Sequence, residues 1–87
     1  MADTLTIIYF AWVKERRGCS EEQIVRPAAG TTVAELLQQL QQHDASYRSV
    51  FADTAKLRFA LDQNFVQHSE AIDDADELAI FPPVTGG

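Results

Sequence analysis

One amphipathic helix, set between segments that favour strands, constrains the fold of this 87-residue chain more than any other feature. Thr32 and Glu35 have the spacing of a capping box: the Thr32 hydroxyl can accept from the Glu35 amide, while the Glu35 carboxylate reaches back to the Thr32 amide. Apolar residues then recur at the spacing of a single helical face, at Val33, Leu36, Leu37 and Leu40. The pattern predicts a helix from about residue 32 to residue 43, with its glutamines in solvent.

Segments that favour strands precede this helix. Leu5 to Ala11 is rich in β-formers and predicts a central strand, and Glu22 to Arg26 predicts a second strand that forms a hairpin with the first. The segment between them, Lys14 to Ser20, is polar and contains Gly18, so it is interpreted as a turn.

The second half of the chain predicts a short helix and three strands. Tyr47, Val50 and Phe51 have helical spacing over one turn. The three strands are predicted at Lys56 to Leu61, Phe65-Val66 and Glu77 to Phe81. Turns are predicted between them, at Asp62-Gln63-Asn64 and at Asp73 to Asp76. The order β-β-α-β-β, with the short helix and the brief Phe65-Val66 strand as small additions, predicts an α+β fold with one mixed sheet packed on one main helix.

The last predicted strand runs directly into Pro82 and Pro83, followed by Val84-Thr85-Gly86-Gly87. Proline lacks an N–H donor and ends the ladder, and glycine without a Cβ can enter a channel too narrow for other residues. We therefore predict a domain over residues 1–83 and a flexible tail over residues 84–87 that ends in a carboxylate.

A slim arm of this kind suits a carboxylate that the active site of another protein must reach and activate. A free carboxylate resists nucleophiles, so activation means a mixed anhydride with AMP, which then accepts sulfur or passes to an amine. Gly-Gly is also common in frayed termini. The strand and the two prolines that precede Gly86 and Gly87 are what favour the directed arm.

Composition excludes several classes of function. Seven Lys and Arg against thirteen Asp and Glu give a net charge of -6, which argues against nucleic acid or an anionic membrane as the main partner. The acidic balance suits a basic docking surface on another protein, or simply keeps the domain soluble. Cys19 is the only cysteine, and His43 and His68 lack the spacing of metal ligands, so we expect no metal site. We also expect a cytoplasmic location.

Three segments together resemble the small subunit of molybdopterin synthase, a sulfur carrier with the β-grasp (ubiquitin-like) fold. They are Tyr9-Phe10-Ala11 with Val13-Lys14-Glu15, the helix start at Thr32 to Leu36, and Asp76 to Gly87 with its Phe81-Pro82-Pro83-Val84-Thr85-Gly86-Gly87 ending. The resemblance covers nearly the whole chain, and the last segment is the most specific of the three.

The resemblance implies a carrier, with no tightly bound cofactor, that is not an enzyme by itself. A ubiquitin-activating-like adenylyltransferase would use ATP to adenylate Gly87, and a sulfur donor protein would convert it to a thiocarboxylate. The large synthase subunit, in a heterotetramer, would supply the catalytic side chains. Sulfur would then pass to cyclic pyranopterin monophosphate to form the dithiolene of molybdopterin.

The resemblance also implies roles for particular residues. Phe10, Phe65 and Phe81 match apolar positions at the partner interface, and Lys14 matches a basic position near it. Ordinary core packing is the alternative for each phenylalanine, and a solvated surface position is the alternative for Lys14. Trp12, beside a strand end, is expected to be partly buried or to contact a partner.

Two residues depart from the pattern of the family. Asp62 stands where the family usually has Asn in the turn after the third strand, and Ala75 stands where it usually has Gly. If the Ala75 position needs a positive φ, alanine there costs on the order of 1 kcal/mol.

Three other functions remain open at this point. The chain could carry sulfur for another product such as the thiazole of thiamine, or be a protein modifier whose Gly87 forms an isopeptide bond with lysines. It could also be a plain interaction domain with a spare tail.

Overall fold

The computed structural model describes residues 4–52 and 54–83, and in these ranges five strands form one mixed sheet. The elements are β1 (Thr4–Tyr9), α1 (Ala11–Arg17), β2 (Glu21–Val25), α2 (Val33–His43), α3 (Arg48–Phe51), β3 (Arg58–Leu61), β4 (Asn64–Val66) and β5 (Glu77–Phe81). Single 3₁₀ turns lie at Ala45–Tyr47 and Thr54–Lys56. The strand order is β2-β1-β5-β3-β4, with β1 parallel to β5 and the other pairs antiparallel.

The core lies between one face of this sheet and the helices. Alternate residues of each strand point to opposite faces, so one face of the sheet is apolar and covered. β1 contributes Leu5, Ile7 and Tyr9 to the core, and α2 contributes Val33, Leu36 and Leu37. The side chains of Leu78 and Ile80 on β5 are fully buried in the same layer.

The predicted main helix is confirmed in both its extent and its cap. Thr32 is the N-cap, and its Oγ1 accepts a hydrogen bond from the Glu35 amide at 3.1 Å. The Glu35 carboxylate accepts one from the Thr32 amide at 2.9 Å. The short second helix is confirmed as well, as the 3₁₀ turn Ala45–Tyr47 followed by α3.

The interpretation of Lys14 to Ser20 as a turn is wrong, because α1 occupies Ala11–Arg17. Val13 is the one fully buried residue of this helix. The helix therefore lacks the repeat of apolar residues by which an amphipathic helix is predicted from sequence. Gly18 ends it with φ 88°, and its amide donates to the Lys14 carbonyl oxygen at 2.9 Å. The predicted first strand therefore stops at Tyr9 instead of Ala11.

The remaining strand boundaries shift by one or two residues, except the last. β2 begins one residue earlier than predicted, and β3 begins at Arg58 because residues up to Lys56 form a 3₁₀ turn. β5 has the predicted bounds and stops before Pro82. The division at residue 83 stays a prediction, because residues 84–87 lie outside the described residues. No helix among the described residues is long and apolar enough to cross a membrane.

The turn from β3 to β4 explains one of the two departures. Asp62 and Gln63 have φ values of 48° and 70°, the left-handed pair that a two-residue hairpin turn of type I′ requires. The Asp62 carboxylate also accepts from the amides of Asp76 and Glu77 at 2.9 and 3.0 Å. Asp and Asn both offer an acceptor oxygen there.

The position of Ala75 does not need a positive φ. Ala75 is absent from the described residues with positive φ, whereas Asp73 has φ 46°. Ala75 is instead buried, and its amide donates to the Ile72 carbonyl oxygen at 3.0 Å. Alanine therefore carries no left-handed strain at this position.

Gln63→Gly should stabilise the protein by about 0.5 kcal/mol, because relief of the left-handed strain exceeds the added chain entropy of glycine. Gln38→Gly, on the exposed face of α2, is the matched control and should cost about 1 kcal/mol. Urea unfolding of both variants measures the change. A loss of stability in Gln63→Gly would contradict the strained turn.

Candidate functional site

The last strand brings the chain out of the centre of the sheet. β5 lies between its parallel neighbour β1 and its antiparallel neighbour β3, so its end is flanked on both sides. Phe81 is the last residue of the ladder, opposite Arg58, and the half-buried Pro82 and Pro83 follow it. The root of the predicted tail is therefore a rigid, central position.

Three phenylalanines meet at this root, and we call them the aromatic surface: Phe10, Phe65 and Phe81. The Phe10 and Phe81 rings are edge-to-face with centroids 6.4 Å apart, and those of Phe65 and Phe81 are 5.7 Å apart. Phe10 is 48% exposed and Phe65 is 83% exposed, while Phe81 is half-buried between them. None of the three belongs to the buried core, so core packing does not explain them.

The backbone of the sheet determines how these rings are presented. The Phe10 amide donates to the Ile80 carbonyl oxygen at 3.2 Å, and Ala11, with φ 56°, then turns the chain from β1 into α1. On β4, Phe65 lies opposite Ala60, whose small side chain leaves room for a ring on the open face of the sheet. The aromatic surface thus lies on the sheet face that α2 does not cover.

Lys14 lies on the exposed side of α1, one helical turn after Phe10. Its amide donates to the Phe10 carbonyl oxygen at 3.4 Å. The structure therefore places Lys14 near the aromatic surface, and its role at an interface stays a prediction. Val84, Thr85, Gly86 and Gly87 lie outside the described residues.

A groove of about 790 Å³ borders the aromatic surface on the side of β4. Phe59, Phe65 and Phe81 contribute its apolar wall, and Arg58 and His68 contribute polar groups. The groove and the aromatic surface therefore form one continuous, partly apolar area beside the end of β5.

A half-buried polar network holds α1 in place behind this area. The Glu22 carboxylate on β2 accepts from Arg17 Nε at 2.7 Å, from the Tyr9 hydroxyl at 2.6 Å and from the Tyr47 hydroxyl at 3.0 Å. The Arg17 guanidinium also lies 4.0 Å from the centre of the Tyr47 ring. One carboxylate thus connects α1, β1, β2 and the turn before α3.

The network shifts the pKa values of its members in consistent directions. Burial favours a raised pKa for Glu22, but the hydrogen bonds from Arg17, Tyr9 and Tyr47 outweigh burial and lower it. The hydrogen bond to Glu22 is the main cause of the raised pKa of Arg17. Burial first, and then the hydrogen bond to Glu22, raise the pKa of Tyr9. Glu22 is therefore charged near neutral pH.

Sequence reasoning did not find this network. Arg17 and Glu22 belong to different elements and Tyr47 is far away in the chain, so no spacing pattern connects them. Misassigning α1 as a turn also concealed that Arg17 faces β2. Among the described residues, no group of three or more His, Cys, Asp or Glu side chains could hold a metal ion.

Comparison with solved structures defines the class of fold. Small archaeal modifier protein 1 of Haloferax volcanii matches with a TM-score of 0.72 and 22% identity, covering 95% of this chain and 100% of its own. The ubiquitin of Caldiarchaeum subterraneum matches with a TM-score of 0.57 and 13% identity, covering 97% and 96%. The protein has the β-grasp (ubiquitin-like) fold, as predicted.

The chain belongs to the ThiS family, which matches residues 7–87. It is similar to the molybdopterin synthase sulfur carrier subunits of Escherichia coli K12 (31% identity over 83 residues, 95% of this chain and 99% of the relative) and Chlamydomonas reinhardtii (35% over 85 residues, 95% and 98%). It also matches a chain in the complex of subunits 1 and 2 of molybdopterin-converting factor from Helicobacter pylori, with a TM-score of 0.60, 19% identity, and coverage of 97% and 99%. The resemblance found in the sequence is confirmed.

Glu22→Gln should cost about 1–3 kcal/mol at pH 7, because Tyr9, Tyr47 and Arg17 lose a charged acceptor. The lowered pKa of Glu22 means that its contribution is complete above the unfolded pKa and is lost as the pH falls through the folded pKa. The difference between wild type and variant should therefore shrink as the pH falls below the ordinary glutamate pKa of about 4.3.

Urea unfolding at pH 7 and pH 3 measures this difference. Glu21→Gln is the matched control, since Glu21 is exposed on the neighbouring position of β2 and should change stability by less than about 0.5 kcal/mol. Equal pH dependence in wild type and Glu22→Gln would show that the network does not depend on the Glu22 charge.

Proposed function

We propose that this chain is the sulfur-carrier subunit of a molybdopterin synthase and that the carboxylate of Gly87 carries the sulfur in the cytoplasm. The observation that carries the proposal is the aromatic surface at the end of β5, which gives a partner an apolar anchor beside the root of the tail. Membership of the ThiS family and the names of the curated relatives support the same role.

Activation of the tail is proposed to proceed through an acyl adenylate. An oxygen of the Gly87 carboxylate attacks the α-phosphorus of ATP in the adenylyltransferase, and pyrophosphate leaves. Sulfide-level sulfur from the donor protein then attacks the acyl carbon and displaces AMP, leaving a thiocarboxylate. ATP is thus a substrate of the activating enzyme, and this chain holds no tightly bound cofactor.

Transfer of the sulfur is proposed to occur in the large synthase subunit. The thiocarboxylate sulfur forms a C–S bond at a carbon of cyclic pyranopterin monophosphate, where a C–O bond breaks and the oxygen leaves as water or with the phosphate. Water then cleaves the resulting thioester, so that Gly87 returns to a carboxylate and the sulfur stays on the pterin. Two such transfers form the dithiolene of molybdopterin. The catalytic side chains belong to the large subunit, and this chain is not an enzyme by itself.

The aromatic surface is the proposed docking site for that subunit. Phe10 and Phe65 expose apolar rings that a partner would bury, with Phe81 packed between them and Lys14 at the edge. The groove beside β4 extends the same area. The solved complex of the two molybdopterin-converting factor subunits supports a large-subunit partner, and we propose that two copies of each chain form a heterotetramer.

Incubation with ATP, the activating enzyme and a sulfur donor should raise the intact mass of the chain by about 16 Da, since sulfur replaces oxygen. Tandem mass spectrometry should locate the change on Gly87. A chain lacking Gly86 and Gly87 is the control and should show no gain.

Two results would contradict this proposal. Higher-mass conjugates with lysines, abolished by deletion of Gly87, would identify a protein modifier instead. A thiocarboxylate that forms but is consumed only by a thiazole synthase would identify a sulfur carrier for thiamine.

Phe65→Ala should weaken binding to the large subunit by roughly tenfold to a hundredfold, because an exposed aromatic anchor is lost. Val25→Ala is the matched control: Val25 is 82% exposed on β2, at the opposite end of the sheet, and its loss should leave binding unchanged. Titration calorimetry measures both affinities. Equal affinities would exclude the aromatic surface as the docking site.

A further inference from the structure

A second recess lies between α1 and the segment that includes α3. It has a volume of about 360 Å³ and we call it the Trp12 cleft. Its lining residues are Trp12, Arg16, Ser49, Val50, Ala52 and Lys56. Neither the polar network behind α1 nor the aromatic surface includes any of these residues.

The chemistry of the Trp12 cleft is cationic and aromatic. The Arg16 guanidinium lies 4.8 Å from the centre of the half-buried Trp12 ring, and the exposed Lys56 lines the same recess. Val50 contributes an apolar floor. None of the described residues that line the cleft is acidic. A carboxylate beside an apolar side chain fits such a lining.

The distribution of charge along the chain supports an anionic occupant. The whole chain has a net charge of -6, yet three of its seven cations lie within residues 14–17 and three more within residues 48–58. These two segments meet at the cleft, since Arg16 comes from the first and Lys56 from the second. The basic residues of an acidic protein are thus concentrated near one end of the sheet.

The Trp12 cleft also lies close to the aromatic surface. Phe10 directly precedes α1, the helix that carries Trp12 and Arg16. Lys56 lies just before β3, whose first residue, Arg58, pairs with Phe81. A partner protein bound to Phe10 and Phe81 would therefore be positioned to contact the cleft as well.

We propose that the Trp12 cleft binds an acidic segment of the large synthase subunit, with a carboxylate between Arg16 and Lys56 and an apolar side chain against Trp12. The inference rests on the proposed function, because it extends the docking site of the same partner. The acidic net charge of the chain disfavours nucleic acid as the occupant.

Charge reversal tests the proposal. Arg16→Glu and Lys56→Glu should each weaken binding to the large subunit by at least about tenfold, because a like charge then faces the partner's carboxylate. Arg48→Glu is the matched control, since it makes the same change in net charge on α3 without lining the cleft. It should change the affinity by less than about twofold.

A second measurement reports on the cleft directly. Trp12 is the only tryptophan, so 5-fluorotryptophan gives the chain a single fluorine resonance. Saturation with unlabelled large subunit should shift this resonance in wild type and in Arg48→Glu. Raised salt should weaken wild-type binding more steeply than binding of Arg16→Glu.

The outcomes separate this inference from the proposed function. Wild-type binding with equal losses in Arg16→Glu, Lys56→Glu and Arg48→Glu, or with an unmoved fluorine resonance, would overturn the cleft alone. A wild-type chain that acquires the thiocarboxylate but does not bind the large subunit would overturn both the cleft and the synthase role.

Discussion

The parallel pairing of β1 with β5 joins the first and last described strands at the centre of the sheet, and the other features depend on it. Thr6 to Tyr9 pair with Glu77 to Ile80, so residues far apart in the chain must meet before the core can close. The pairing buries both strands in one layer of the core. It also places Phe10 and Phe81, which directly follow the paired segments, side by side.

The Glu22 network likewise holds α1 in place through contacts between residues that are far apart in the chain. This helix is short, buries only Val13 completely, and packs Trp12 partly against the core. Arg17 compensates by binding a carboxylate that two tyrosine hydroxyls also donate to. A charged group with several donors is worth more than an exposed ion pair. The position of Phe10 and of the Trp12 cleft therefore depends on Glu22.

The parts of this structure that could be predicted are those with a local signal. Thr32 and Glu35 predict the start of α2, and Pro82 predicts the end of β5, because each residue acts on the backbone next to it. The helix α1 has no such signal. The aromatic surface could be named only through family resemblance, since contact between Phe10 and Phe81 arises from pairing of distant strands.

The charge distribution changes the interpretation of the acidic composition. A net charge of -6 by itself suits a basic docking surface, yet basic residues of this chain lie around the Trp12 cleft near the root of the tail. Exposed rings such as Phe65 would favour self-association on a neutral protein, and like net charge on every copy opposes it. The cations near those rings favour a partner that has acidic groups. Such a partner must also cover the apolar area if it is to bind in preference to a second copy of the chain. Specificity at such a surface comes from requiring both contacts together.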